Sequence, residues 1–506
     1  VTERVLTLLI LLAAASAASQ STATFTNQTA ESGFLSLELY GGHGIQVADI
    51  DGDGLLDIYV THIFDPHENR PDLLFRNLGG RPLRFEEVGL LSGVADDGYF
   101  PVTSEEDGTT EDISEESHAA VFADFDNDGD LDLFNAHTWN GHHRLYRNDG
   151  DGRFVDISDS AGIDARDIGP RGVGAADLDG NGFLDVIVTA WQGYIPNVYM
   201  NHGGLRFERT RLQGDASSDF ANQGLSVVDI NDDGRSDLFL SAFEYVEGVG
   251  VGPIAVLINE YPRFIEGTEF SGLEYEQMTS DYRGTNGFSF GDLDGDSDLD
   301  VVITGYQGSK LYRNNGEGRF NLVRRFEGLH YTAALGDIDN DGDLDLYFAG
   351  DSGVYLNDGE GGMSFFSEVG LDGIGEDARS AVFADMDNDG ALDLLVASKQ
   401  GPNTFFHHNG TSNGWINVSL TAPTGEKGAL GARVSLYEEG RLGDPGALVG
   451  YRVVQASTGY CAQDPSLLHF GTGSGTSFDL RVEFPGGVIR ERTGIAPRQT
   501  VEMSGQ

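Results

Sequence analysis

Seven times this chain spells D-x-D-x-D-G-x-x-D or a near variant, a spacing that gathers oxygen ligands around one point. The first copy sets Asp49, Asp51, Asp53 and Asp57 at positions 1, 3, 5 and 9, with Leu55 at position 7. The second has Asp124, Asp126, Asp128 and Asp132 with Asp130, and the third Asp177, Asp179, Asn181 and Asp185 with Phe183. The fourth carries Asp229, Asn231, Asp233 and Asp237 with Arg235, and the fifth Asp292, Asp294, Asp296 and Asp300 with Asp298. The sixth has Asp337, Asp339, Asp341 and Asp345 with Asp343, and the seventh Asp385, Asp387, Asp389 and Asp393 with Ala391. Of the 28 side-chain positions 26 are Asp, and the two Asn still offer a carbonyl oxygen.

A hard cation of calcium's size takes six to eight oxygens at flexible distances. Carboxylates at positions 1, 3, 5 and 9 can point inward while the position 7 backbone carbonyl completes the cage. Glycine at position 6 permits the sharp turn. Ser297 replaces that glycine in the fifth loop, which makes its site the weakest match. Four carboxylates held together without a counter-ion repel one another and oppose folding. The pattern therefore predicts up to seven bound Ca2+ ions. The loops differ from an EF-hand in lacking a Glu at position 12 and in having strands on either side.

The elements that must position these loops repeat with them. Start-to-start spacings are 75, 53, 52, 63, 45 and 48 residues. A stretch of small and apolar residues precedes each loop, as in 44–48 and 380–384, and a β-prone apolar run follows, as in 58–60 and 394–396. A third strand ends at an Asn-centred turn (145–149, 311–315), and a fourth starts near an aromatic (153–157). Four short strands per repeat make one blade of a β-propeller. The fold class is all-β: a seven-bladed propeller over 24–413 and a small C-terminal β domain over 414–506. Residues 24–34 match the fourth-strand segment 153–163 in their Phe, Ala and Gly positions yet precede the first loop. They are expected to close the ring as the outer strand of blade seven.

Composition narrows the class of function. With 82 acidic against 31 basic residues the formal charge is −51, which repels nucleic acid and anionic membrane surfaces. Seven divalent ions would bring it to −37. Arg4, the apolar run 5–15 and the small residues Ala15-Ser16-Ala17 read as a signal peptide over 1–17, too short to span a bilayer. The expected product is a secreted protein, extracellular or, in a bacterium, periplasmic or surface-bound. Cys461 is the only cysteine, so disulfides cannot supply stability and structural metal is the candidate.

The loops with their flanking strands resemble the FG-GAP/VCBS repeats of integrin α-chain propellers. From Trp415 onward, the segments 415–419, 431–434, 457–460, 463–465, 468–471 and 481–487 (WINVS, GARV, STGY, QDP, LHFG, RVEFPGG) resemble the ASPIC/UnbV-type domain. Together they resemble the cartilage acidic protein family and its bacterial homologues. That resemblance implies a secreted, calcium-rich propeller with a small β domain. Cys461 stands where this pattern leads one to expect a small or hydroxyl residue, and is read as a buried, inert thiol.

Other motifs are weaker. Residues 287–291 spell G-x-S-x-G, but the segment runs straight into the fifth loop and is read as an inner strand, not a nucleophile elbow. His137, His142 and His143 near Trp139 are read as a surface loop. Hairpin geometry puts the loops on one rim and the other turns opposite, with Trp139, Trp191 and Tyr306 as candidate ligand-binding aromatics. The same rim receives the insertion 95–117, which has nine acids and no Lys or Arg. The leading reading is a calcium-stabilised extracellular adhesion or interaction module, not an enzyme, whose partner is a protein or glycan. The rival is a polysaccharide-acting propeller enzyme or lectin, with paired carboxylates outside the loops lining its funnel.

Overall fold

A computed structural model describes residues 23–34, 42–62, 71–94, 99–103, 110–114, 116–138, 142–163, 170–190, 196–212, 222–242, 254–273 and 284–506. The segment 1–17 read as a signal peptide, Trp139 and Trp191 lie outside these. Each carboxylate loop joins the first two strands of an antiparallel sheet. In blade 1 these are Gly44–Ala48 and Asp57–Thr61, followed by Leu73–Asn77 and Phe85–Glu87. The residue before each loop pairs with the position 9 Asp, from Ala48 with Asp57 to Ala384 with Asp393. The loop is thus a hairpin turn of fixed length.

Seven such blade sheets are present among the described residues, six of four strands and that of blade 1 with a fifth strand added. After blade 1 their first strands are Glu116–Ala123, Pro170–Ala176, Asn222–Val228, Thr285–Gly291, Ala333–Gly336 and Glu376–Ala384. Each first strand touches that of the next blade, and the seventh touches the first. This closed ring of sheets is a β-propeller. Buried aliphatic and aromatic side chains fill the gaps between neighbouring blades, such as Phe134, Val186 and Tyr199 between blades 2 and 3.

Closure comes from the N-terminal strand Phe25–Asn27, which pairs antiparallel with Thr404–His408 of blade 7. A one-turn helix, Thr29–Ser32, follows and ends at Gly33 in the left-handed conformation. The same turn recurs after blade 2, where Gly162 (φ 86°) sits so close to Phe207 O that a Cβ would approach to 2.5 Å. Only glycine fits there. Within the acidic insertion, Tyr99–Thr103 and Thr110–Ser114 form a two-stranded hairpin.

The C-terminal domain has two sheets. One holds Gly414–Thr421 between Leu468–Gly473 and Gln499–Ser504. The other orders Leu448–Val453, Arg433–Glu438, Phe478–Phe484 and Val488–Ile495. Ile416, Val434, Leu436, Phe470 and Leu480 pack between them as a separate core.

Removal of the closing strand exposes an unpaired sheet edge in blade 7. Deleting 24–34 should lower the melting temperature by ~10 °C or more and produce soluble oligomers. Calorimetry with size-exclusion chromatography checks this; a monomer of unchanged stability would show that the ring closes without the strand.

Candidate metal centres

The seven loops share one hydrogen-bond scheme. The position 1 carboxylate accepts the position 6 N–H through Oδ2 in all of them, from Gly54 to Asp49 (3.2 Å) to Gly390 to Asp385 (3.0 Å). Ser297 does this in the fifth loop with a φ of 74°, so serine occupies the glycine conformation without altering the turn. Left-handed backbone costs a non-glycine residue roughly 1–2 kcal/mol. Position 4 is left-handed too: Gly52, Asn127, Gly180, Asp232, Gly295, Asn340 and Asn388. These are the residue types that tolerate it, and that second signal lies open in the sequence.

Position 9 is the most heavily engaged. Its Oδ2 accepts the position 2 N–H, and its Oδ1 accepts an N–H from the end of the third strand. Asp185, for example, takes Leu178 N–H (2.9 Å) and Asn201 N–H (2.7 Å). Asn201 in turn donates its side-chain amide to Leu184 O in its own loop and to Phe125 O in the loop of blade 2. Asn77, Asn148 and Asn357 make the equivalent pair of bonds between neighbouring blades. The Asn read from sequence as a turn residue is thus an inter-blade stitch. His408 takes its place in blade 7, donating only its N–H to Asp393.

Do these loops fit a cation? Carboxylate oxygens of Asp49, Asp126, Asp294, Asp337, Asp339 and Asp387, one Oδ1 each, are buried without a hydrogen-bond partner. They belong to positions 1 and 3 of five loops. Burial pushes the position 9 carboxyls far above the usual carboxylate range, Asp132 and Asp300 to about 8. Neighbouring carboxylates reinforce this, as at Asp126, raised to about 6 by burial and then by Asp128 and Asp124. In loops 1 and 2 the oxygens of positions 1, 3 and 5 converge within 4.8 Å, as do those of Asp177, Asp179 and Asp185. Orphaned, convergent, hard oxygen donors suit calcium.

The loop rim is not open to solvent all round, because the C-terminal domain rests on it. Asn417, Lys427, Arg433 and Gly471 all contact position 1 carboxylates, and the Trp415 ring lies against Gly390. From this domain the segment 455–463 runs along the propeller axis. Gln455 donates to Phe290 O, Ser457 to Leu225 O and Gly459 N–H to Phe288 O. Ala462–Gln463 adds a parallel strand to Gly44–Ala48, and Gln463 clamps both main-chain groups of Phe122 at 2.8 Å. Contacts with the first strands of blades 1, 2, 4 and 5 are possible together only near the axis. Gly459 is left-handed (φ 57°), and a Cβ there would meet Thr332 at 2.5 Å. This insertion was not anticipated from the sequence.

At the tip, Tyr460 OH lies 2.9 Å from His43 Nε2, and its ring packs near Tyr331. Tyr306, expected as an exposed ligand aromatic, has its hydroxyl 2.8 Å from that of Tyr331 and belongs to this anchor. Ligand atoms of His43, His118 and Cys461 lie within 4.8 Å, a donor set of the type zinc or copper takes. Yet Arg171 Nη1 lies 3.0 Å from His118 Nε2, and guanidinium can only donate, so Nε2 must accept. Burial, and after it the charges of Arg171 and Arg379, hold the His118 pKa well down. Two guanidiniums beside neutral imidazoles disfavour a cation, so the trio anchors the segment. Burial pushes the Cys461 thiol up to about 12, consistent with an inert group.

One expectation needs correction. His137 and His143 are 1% and 0% exposed, so they are no surface loop. His143 packs against Phe134 and Tyr199. The G-x-S-x-G segment is indeed a first strand: Ser289 is buried and donates to Ala333 O (2.6 Å), with no strand-to-helix turn.

A ring of four-stranded sheets turning on carboxylate loops, with a β domain threaded into its axis, defines a repeat propeller with an appended domain. Residues 124–188, 292–348 and 337–396 match the FG-GAP-like repeat family, and 422–506 match the family described as ASPIC and UnbV. The chain carries FG-GAP-like repeats followed by an ASPIC/UnbV domain. It is related to cartilage acidic protein 1 of Homo sapiens, 24% identical over 68% of this chain and 50% of that protein. Cartilage acidic protein 1 of Xenopus tropicalis is 29% identical over 51% of this chain and 38% of its own length. The chain thus spans about half or less of the length of these relatives. Among solved structures it is similar to an Agrocybe aegerita lectin recognising non-reducing terminal N-acetylglucosamine (TM-score 0.39, 16% identity, 76% of this chain and 93% of that one). It is also similar to the Cps50 (Swd1) β-propeller domain of Myceliophteria thermophila (TM-score 0.40, 8% identity, 76% and 99%).

Replacing the stitch removes two buried hydrogen bonds and strands two carbonyls, each costing about 1–3 kcal/mol. Asn201→Ala should therefore destabilise the protein by about 2–4 kcal/mol in urea unfolding. A change below about 0.5 kcal/mol, the level of an ordinary surface substitution, would refute the stitch.

Proposed function

We propose that the protein is a secreted, calcium-stabilised propeller that acts as an extracellular binding module. The observation that carries the calcium reading is the set of buried, unpartnered Oδ1 atoms at positions 1 and 3 of the loops. A divalent ion in each loop would satisfy them and screen the repulsion within a chain of charge −51. Secretion agrees with the leader-like residues 1–17 and with relatives named for cartilage, an extracellular tissue.

Recognition is assigned to the rim opposite the loops. The loops are of fixed length and partly covered by the ASPIC/UnbV domain, and the axis is filled by 455–463. In the sequence, the segments that join second to third strands differ in length, and two of them contain Trp139 and Trp191, which lie outside the described residues. Aromatic faces there would stack on a sugar or an apolar side chain of a protein partner. Among the described residues no helix is long and apolar enough to cross a membrane.

Exhaustive chelation should lower the melting temperature by ~10 °C or more, since ions bound only by the folded state stabilise it by mass action. Calcium should restore the transition better than magnesium, which demands a rigid octahedron. An unchanged melting curve after chelation would remove the metal from this account.

A further inference from the structure

The seven loops share a shape but not their surroundings. In four of them the ASPIC/UnbV domain adds a donor to the Oδ2 atom of position 1. Lys427 N–H donates to Asp124 (2.9 Å) in loop 2, Gly471 N–H to Asp337 (2.8 Å) in loop 6, and Asn417 Nδ2 to Asp385 (3.3 Å) in loop 7. In loop 4 the donor is the guanidinium of Arg433, bonded to Asp229 and 2.9 Å from Asp232 Oδ1. Among the described residues, Asp177 of loop 3 and Asp292 of loop 5 accept only from their own loops.

These donors differ in charge. A main-chain N–H or an amide orients the carboxylate and leaves its negative charge for a cation. Asn417 is itself held, with Oδ1 2.8 Å from His469 Nδ1, and His469 Nε2 is 2.7 Å from Asn340 Oδ1 of loop 6. Arg433 instead brings a full positive charge to a ligand atom. A second guanidinium, Arg235, lies 2.7 Å from Asp233 Oδ2 at position 5, and Asn231 replaces a carboxylate at position 3. Loop 4 therefore meets its three ligand carboxylates with two cations of the chain's own.

We propose that the ASPIC/UnbV domain grades the cation affinity of the loops. Neutral donors strengthen binding in loops 2 and 7, and the Arg433 guanidinium weakens it in loop 4; loop 6 receives both kinds, with Arg452 Nη2 3.8 Å from Asp337 Oδ2 beside the Gly471 N–H. The inference rests on the calcium reading above. Outer partners fix the orientation of first-shell ligands, whereas a like charge a few ångströms from a divalent ion repels it. Linkage makes the effect reciprocal, so calcium in loops 2 and 7 also holds the domain and its axial segment in place.

Hydrogen–deuterium exchange of the full chain across a series of free calcium concentrations tests this, because each loop peptide reports its own midpoint. Arg433→Ala and Arg433→Gln should each lower the midpoint of loop 4 by about fivefold or more. Asn417→Ala should raise that of loop 7 by about fivefold. Loop 3 should not move in any of them. Unshifted midpoints of loops 4 and 7, or a common shift of all seven loops, would overturn the grading while leaving calcium binding intact. A wild-type protein in which no loop gains protection with calcium would instead remove the calcium reading itself.

Discussion

The structure depends on a carboxylate buried at the start of every second strand, with both oxygens accepting main-chain N–H groups. Through Oδ2 it shapes the loop, and through Oδ1 it fixes the end of the third strand, where in most blades an Asn reaches back to the neighbouring blade. One residue type at one spacing thus sets turn, sheet register and blade-to-blade distance. Hydrogen bonds to an ionised acceptor contribute about 1.5–3 kcal/mol each, but only while the carboxylate stays charged. Burial beside two or three further carboxylates works against that, as the upward shift of Asp132 and Asp300 shows. A cation in each loop would resolve the conflict.

A ring of sheets leaves main-chain groups of its inner strands facing the axis, and buried groups of this kind need partners. Here the axial segment of the ASPIC/UnbV domain supplies them, to Phe122, Leu225, Phe288 and Phe290. The domain is therefore part of the ring's own satisfaction, not an appendage. It covers part of one rim and fills the centre.

Much of this was legible in the residues. Seven copies of one loop with strands either side define a propeller, because carboxylate spacing and turn chemistry are local properties. The outer-strand match of 24–34 was visible for the same reason, and Phe25–Asn27 pairs with blade 7. The axial segment was not legible. Ser457, Thr458 and Gly459 are small and polar, with no periodicity, and such residues read as a surface loop unless the groups they satisfy hundreds of positions away are known. His137 and His143 were hidden likewise: Tyr199, against which His143 packs, comes from elsewhere in the chain. Position 4 differs, since its alternation of Gly, Asn and Asp is a plain left-handed signal that attention to position 6 alone passed over.

The claim that the loops are cation sites is tested most directly by counting. Protein equilibrated with calcium and then desalted should, by elemental mass spectrometry, carry close to one calcium per loop. The count should approach seven and fall by one when Asp126 and Asp128 are both replaced by Ala. A folded protein that retains less than about one equivalent, a Kd far weaker than the range of dedicated loops, would contradict the account.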